Sequence, residues 1–141
     1  MKLSTKSRYG TRLMLDMAQH YGDGPVHLGT VARRQGISVK YLEQIIIPLK
    51  KANYIQSVRG PKGGHQLAKP PEEITVGEIV ALLEEGTTLA ECGDNPLSCE
   101  RSPDCATRTI WQEAAQAMFD KLQSITLADL LRRDKLKKPG A

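Results

Sequence analysis

Gly36-Ile37-Ser38-Val39-Lys40-Tyr41-Leu42-Glu43-Gln44 is the stretch whose reading decides the fold. Gly36 is the residue type that tolerates the left-handed turn at the end of a helix, and it closes a short helix expected over residues 30–35. Ser38 carries the side-chain oxygen that caps a following helix, expected over residues 39–52. Two short helices joined by a tight, glycine-containing turn form a helix-turn-helix. In the second helix Leu42, Ile45, Ile46 and Leu49 can face a core, while Lys40, Tyr41, Glu43 and Gln44 occupy the first turns. Pro48 removes one backbone donor and predicts a bend beyond those polar turns. The first turns of a recognition helix enter the major groove. There Gln44 can read adenine, Lys40 a guanine or a phosphate, and Glu43 can accept from cytosine N4. Glu43 would also repel a phosphate placed too close, which makes it a discriminator. With Ser38 and Tyr41 these residues form the expected reading face; the alternative is an ordinary solvated helix surface.

Downstream, Tyr54-Ile55-Gln56-Ser57-Val58 and Gln66-Leu67-Ala68 alternate as strands do, around the glycine-rich basic turn Arg59-Gly60-Pro61-Lys62-Gly63-Gly64-His65. This predicts a β-hairpin with a cationic tip, and after a helix-turn-helix it reads as a wing over residues 54–68. Arg59 and Lys62 can meet phosphates or the minor groove, with Gly63 and its neighbours allowing close approach. His65 is expected to support the hairpin. Upstream, Tyr9, Leu13, Met17 and Tyr21 recur every four residues, predicting a helix over residues 6–21 capped by Ser4 or Thr5. Charge follows the same division. Residues 1–69 hold 12 Lys+Arg against 3 Asp+Glu, and residues 70–141 hold 8 against 13. A basic half joined to an acidic half suggests a polyanion-binding module attached to something else.

That second half contains all 3 cysteines, Cys92, Cys99 and Cys105, spaced C-x6-C-x5-C in a stretch of turn formers running from about Gly86 to Asp104. A loop this long is usually functional or disordered. Three thiols brought together by turns can hold a metal or an iron–sulfur cluster, because both chemistries use thiolate ligands. The alternatives are three unrelated thiols, or one disulfide with a spare. Nothing at the N-terminus resembles an export signal, so a cytoplasmic, reducing location is expected, where a structural disulfide is disfavoured.

Before the loop, Ile74-Thr75-Val76-Gly77-Glu78-Ile79 spells a capping box with a hydrophobic staple, opening a helix to about Glu85; Ile125-Thr126-Leu127-Ala128-Asp129 repeats that grammar. After the loop, residues 106–124 read as the longest helix. Its stripe of Ile110, Ala114, Ala117, Met118 and Leu122, with Trp111 beside it, is a candidate dimer seam; the alternative is packing on the first helix of the same chain. A charged tail is expected to fray from Lys135. The expected organisation is therefore a DNA-binding unit over residues 1–85, a cysteine loop over 86–105, a dimerisation helix and C-terminal helix over 106–134, and a tail over 135–141. With 40% hydrophobic and only 4% aromatic residues the core must be mainly aliphatic. No apolar run reaches the roughly 18 residues of a membrane span, and no nucleophile–base or paired acid/base constellation suggests an enzyme.

The pairing of Tyr41-Leu42-Glu43-Gln44 with Arg59-Gly60-Pro61-Lys62-Gly63-Gly64 resembles the Rrf-two family of bacterial winged-helix regulators. Leu3-Ser4-Thr5-Lys6-Ser7-Arg8-Tyr9-Gly10 and Ile125-Thr126-Leu127 fit it too, so the resemblance covers essentially the whole chain. The cysteines single out its cluster-binding IscR, NsrR and RirA types. The resemblance implies a mainly α fold with a small β-hairpin. It implies a homodimeric regulator, a repressor, that binds double-stranded promoter DNA and senses redox state, iron or nitric oxide through a cluster on Cys92, Cys99 and Cys105. The IscR type carries a histidine three residues after its last cysteine, where this chain has Arg108. A guanidinium cannot replace that ligand. The fourth ligand must then be Glu91, Asp94, Glu100, Asp104, a partner-subunit residue, a small molecule or water, which favours a 4Fe–4S cluster with one open iron over 2Fe–2S. The rival readings are a small iron–sulfur electron-transfer or redox protein, and a winged-helix regulator controlled by a protein partner with a structural zinc.

Overall fold

Ser4 opens the first helix, its side chain accepting from the Ser7 amide at 3.1 Å. In the computed structural model, which describes residues 2–86 and 88–137, α1 spans Thr5–Gln19 and stops two residues earlier than the apolar stripe suggested, in a turn around His20. α2 (Leu28–Gln35) starts earlier than expected, directly after His27, and ends on Gly36 at φ 65°. Ser38 then caps α3 (Val39–Lys51) by accepting from the Tyr41 amide at 3.1 Å, and the helix stays continuous through Pro48.

The hairpin forms as β1 (Ile55–Val58) and β2 (Gly64–Leu67), antiparallel with Ile55 opposite Leu67 and Val58 opposite Gly64. Val26, before α2, adds a bridge on the free edge of β2. Its N–H donates to the His65 carbonyl at 2.8 Å and its carbonyl accepts from the His65 N–H at 2.9 Å. Gly64, at φ 151°, makes that approach possible: a Cβ there would lie 2.5 Å from the Val26 oxygen. The wing is thereby anchored to the loop that precedes the helix-turn-helix.

Beneath these elements sits an aliphatic core that includes Leu13, Met14, Val31, Leu42, Ile45, Leu49, Ile55, Ile74, Ile79 and Leu127. Both expected capping boxes are present. Thr75 and Glu78 open α4 (Val76–Leu83), and Thr126 exchanges bonds with Asp129 at 2.9 and 3.0 Å to open α7 (Leu127–Lys137). The two boxes meet. Val76 N–H donates to the Ile125 carbonyl at 2.8 Å and Leu127 N–H to the Ile74 carbonyl at 2.9 Å, so the sequence echo marks a paired structural joint. α7 continues past Lys135, where fraying was expected; residues 138–141 of that tail lie outside the described residues.

α6 (Ala106–Gln123) packs on α4, and the approach is tight at Gly77, where a Cβ would fall 2.8 Å from the backbone N and Cα of Gln123. Backbone cannot yield as a side-chain tip can. Gly77→Ala should therefore cost about 1–3 kcal/mol through overpacking, measured by urea unfolding. Gly29→Ala, on α2 with open space around it, should be neutral or slightly stabilising and controls for helix propensity.

Only Ala115 of α6 is buried. Ile110, Trp111, Ala114, Ala117 and Met118 are exposed and Leu122 is partly so. Within this chain the stripe is not folded onto α1, which packs against α3, α4 and α7 instead.

Candidate DNA-binding surface and cysteine loop

α3 turns Leu42, Ile45, Ile46 and Leu49 inward and leaves Ser38, Val39, Lys40, Glu43, Gln44, Ile47, Lys50 and Lys51 exposed. Tyr41 behaves differently from its predicted neighbours. It is half-buried, and its ring meets Tyr9 edge-on at 5.9 Å and 88°, locking α3 to α1. The Arg8 and Arg12 guanidiniums lie 6.0 and 5.5 Å from the Tyr9 ring centre. Arg12 also donates to the Gln35 side chain at 3.1 Å and to the Gln35 carbonyl, closing the C-terminus of α2. Arg34 is held by buried Asp16 through bonds of 2.7 and 3.1 Å. Two cations of the basic half thus stabilise the helix-turn-helix frame. Lys40, Lys50, Lys51, Arg59 and Lys62 are exposed on α3 and the wing.

At the wing tip Arg59 and Lys62 project, whereas Gly63 is buried. Its N–H donates to the Gly60 carbonyl at 2.9 Å, and a Cβ would lie 2.1 Å from the Val58 oxygen. Gly63 therefore acts by closing the turn that presents the two cations. His65 Nδ1 sits 3.2 Å from Ser57 Oγ across the strands. Burial, with Lys50 and His27 nearby, pushes its pKa down, so at neutral pH it supports the hairpin as a neutral ring.

The cysteine segment is more ordered than a bare loop. Cys92 lies in the single turn α5 (Glu91–Asp94), Cys99 follows a 3-10 turn at Pro96–Ser98, and Cys105 precedes α6 after another at Ser102–Asp104. All three are free thiols. The expected gathering is not present: among the described residues no three His, Cys, Asp or Glu side chains stand close enough to hold a metal ion. Turns bring the cysteines into one segment, but each is set on its own short element. The donor chemistry nonetheless suits a cluster. Cys105 Sγ lies 3.1 Å from Thr107 Oγ1, and that bond, the Arg108 amide and nearby Arg101 hold its pKa below the usual thiol value. Ser102, between the second and third cysteines, is buried, and its hydroxyl has no hydrogen-bond partner among the described residues. Arg108 takes a structural part, donating from Nε to the Cys92 carbonyl at 2.8 Å and tying α5 to the start of α6.

A helix-turn-helix with a cationic β-hairpin beside it defines a winged-helix DNA-binding protein. The family described as "Rrf2: Iron-dependent Transcriptional regulator" matches residues 3–133, and the chain belongs to this Rrf2 family of transcriptional regulators. Among its relatives is the protein named rrf2 of Nitratidesulfovibrio vulgaris, 54% identical over 94% of this chain and 88% of that one. The regulator IscR of Photobacterium profundum is 39% identical over 94% of this chain and 76% of its own length. Solved structures agree in fold. IscR of T. potens superposes with TM-score 0.83 at 39% identity, covering 100% of this chain and 93% of that one. CymR of B. subtilis, the global cysteine regulator of that organism, gives 0.77 at 36% identity, covering 92% and 95%. The winged-helix fold and a regulator rather than an enzyme, both expected from sequence, are borne out. No helix among the described residues is long and apolar enough to cross a membrane.

The exposed face of α3 also carries two residues that the sequence signals for a reading face did not single out, Val39 and Ile47. Their signal was available: both lie four residues from Glu43, one on each side.

Proposed function

We propose that this chain is a cytoplasmic, homodimeric repressor of promoter DNA whose affinity is set by an iron–sulfur cluster on Cys92, Cys99 and Cys105. The observation that carries the DNA part is the exposed polar face of α3 beside the Arg59–Lys62 wing tip. Ser38, Lys40, Glu43 and Gln44 enter the major groove, Tyr41 braces the helix on α1, and Arg59 and Lys62 hold the backbone or minor groove while Gly63 shapes the turn. What supports the homodimer is the exposed α6 stripe of Ile110, Trp111, Ala114, Ala117 and Met118, which a second copy would cover together with Leu122. A two-fold dimer presents two recognition helices about one turn of DNA apart, roughly 34 Å.

When bound, the cluster would supply a centre sensitive to oxygen, nitric oxide or iron supply; 4Fe–4S with one open iron is favoured over 2Fe–2S because Arg108 stands where a histidine ligand would. Cys105 abuts α6 and Arg108 links that helix to the Cys92 segment, so ordering the three cysteines would fix α6 and, through it, the spacing of the reading heads. Coupling of this kind is typically about 5- to 150-fold in affinity. A cluster-free regulator is the second reading, favoured by the ungathered cysteines and by similarity to the global cysteine regulator.

Anaerobically purified protein should carry iron and sulfide with a visible absorption band. On an operator selected from a random pool, at one salt concentration, loaded protein, stripped protein and Cys92→Ala should differ in affinity by that 5- to 150-fold range. If all three are folded dimers that bind alike, the cysteines are not a switch.

A further inference from the structure

Two apolar side chains stand on the exposed, polar face of α3. Val39 is 41% and Ile47 52% exposed, and both lie on α3 among Lys40, Glu43, Gln44, Lys50 and Lys51. Neither helps the core, which α3 fills from its other side with Leu42, Ile45, Ile46 and Leu49. Residues four apart share a helix face, so Val39, Glu43 and Ile47 form one ridge, carboxylate in the middle. The rise per residue puts each apolar group about 6 Å along the axis from Glu43.

An isolated carboxylate between two exposed aliphatic groups is an odd surface for water and a fitting one for a groove. In the major groove the apolar feature that a base pair offers is the thymine C5-methyl, and cytosine N4 is the donor that a carboxylate accepts from. We propose that Val39 and Ile47 are specificity-determining residues that read thymine methyl groups on either side of the cytosine contacted by Glu43. This deepens the DNA-binding reading and rests on it. Val39, first residue of α3 behind the Ser38 cap, is the deeper contact, because the N-terminal residues of a recognition helix reach furthest to the base edges. Ile47, two turns on, meets a methyl nearer the groove rim. The ridge also gives Glu43 its discriminating power. Apolar flanks that exclude water leave the carboxylate without solvation unless a cytosine amino group faces it, so a wrong base pair costs a buried unpaired charge.

The test uses the full-length protein and an operator selected from a random pool, with each thymine replaced singly by deoxyuridine, which deletes only the methyl group. Wild type should lose about three- to tenfold in affinity at one or more thymines per half-site, the scale of one buried methyl group or slightly more. Val39→Ala with Ile47→Ala should bind thymine and uracil operators alike at those positions. Val39→Thr, which keeps a methyl group on the β-carbon, should retain the Val39-dependent discrimination. Both positions are exposed, so circular dichroism and unfolding midpoint should match wild type. A wild type that binds its operator tightly yet ignores every deoxyuridine replacement overturns the assignment and leaves the DNA-binding reading standing. So does a double Ala variant that keeps the full thymine preference. A wild type that selects no sequence at all sinks both readings.

Discussion

Arg34→Ala should destabilise the protein by about 2–3 kcal/mol, with the deficit shrinking as pH is lowered. Asp16 lies on α1 with its side chain 1% exposed, and Arg34 on α2 grips it with two bonds of 2.7 and 3.1 Å. Gln35 adds a third at 3.0 Å. Removing one partner of a buried pair typically costs about 3–5 kcal/mol, because a charge is stranded in a poor solvent. Arg34 is itself 38% exposed, so solvent already screens part of its charge, and Gln35 would still donate after the substitution; hence the lower range. Burial raises the pKa of Asp16, but the hydrogen bonds from Arg34 and Gln35 and the Arg34 charge outweigh it, and the net value is lowered. The sign follows from linkage. In the wild type this carboxylate contributes stability above its unfolded pKa and loses it as pH falls through the lower folded value. In Arg34→Ala burial is opposed by fewer contacts, so protonation relieves the stranded charge and acid narrows the gap. Replacing both partners by apolar residues, Asp16→Leu with Arg34→Met, should recover most of the loss. Urea unfolding of the single and double variants across pH checks this; a pH-independent deficit below about 1 kcal/mol would remove the pair from any structural role.

This pair shows where sequence reading stops. The helix-turn-helix was legible because its signals are local: Gly36 ends α2, Ser38 caps α3, and a period of apolar residues sets the buried face. The wing and both capping boxes were legible for the same reason. Asp16 carried no such signal. A single acid in α1 gains meaning only when α2 brings Arg34 beside it, 18 residues later. Arg12 was counted as one more positive charge, yet its guanidinium closes the end of α2 across 23 residues. The joint between Ile74–Val76 and Ile125–Leu127 was visible as an echo but not as a contact, since strand-like pairing between distant segments leaves no mark in either alone. The cysteines illustrate the converse. Their spacing suggests shared ligation, but α5 and the two 3-10 turns are themselves local structures, and among the described residues no three donor side chains stand close enough to hold a metal ion. Spacing told which ligands the segment carries, while the turns between them follow local backbone preference.

Raising salt from 50 to 200 mM should weaken operator binding by about a thousandfold to a hundred-thousandfold, the range for six to ten phosphate contacts. The uneven charge is the reason: 12 Lys+Arg against 3 Asp+Glu in residues 1–69. Structure trims the count, because Arg12 and Arg34 are engaged within the chain. Lys40, Lys50, Lys51, Arg59 and Lys62 are exposed on α3 and the wing, giving up to five contacts per subunit and ten in the proposed dimer. Each contact contributes roughly 0.9 to the slope of log affinity against log salt. Lys62→Ala, which would remove two contacts from the proposed dimer, should therefore flatten the slope by about 1.8 and weaken all sequences by a similar factor. Gln44→Ala should leave the slope alone and instead narrow the gap between operator and mismatched DNA, since a base contact carries sequence information and a phosphate contact does not. Fluorescence anisotropy across salt, on the operator and on a set of single mismatches, separates the two effects. If Lys62→Ala alters sequence preference, or Gln44→Ala alters the salt slope, then wing and recognition helix have been assigned to the wrong parts of the duplex. That inversion would place the base-reading surface on the glycine-rich tip, where Gly63 leaves only Arg59 and Lys62 to read with.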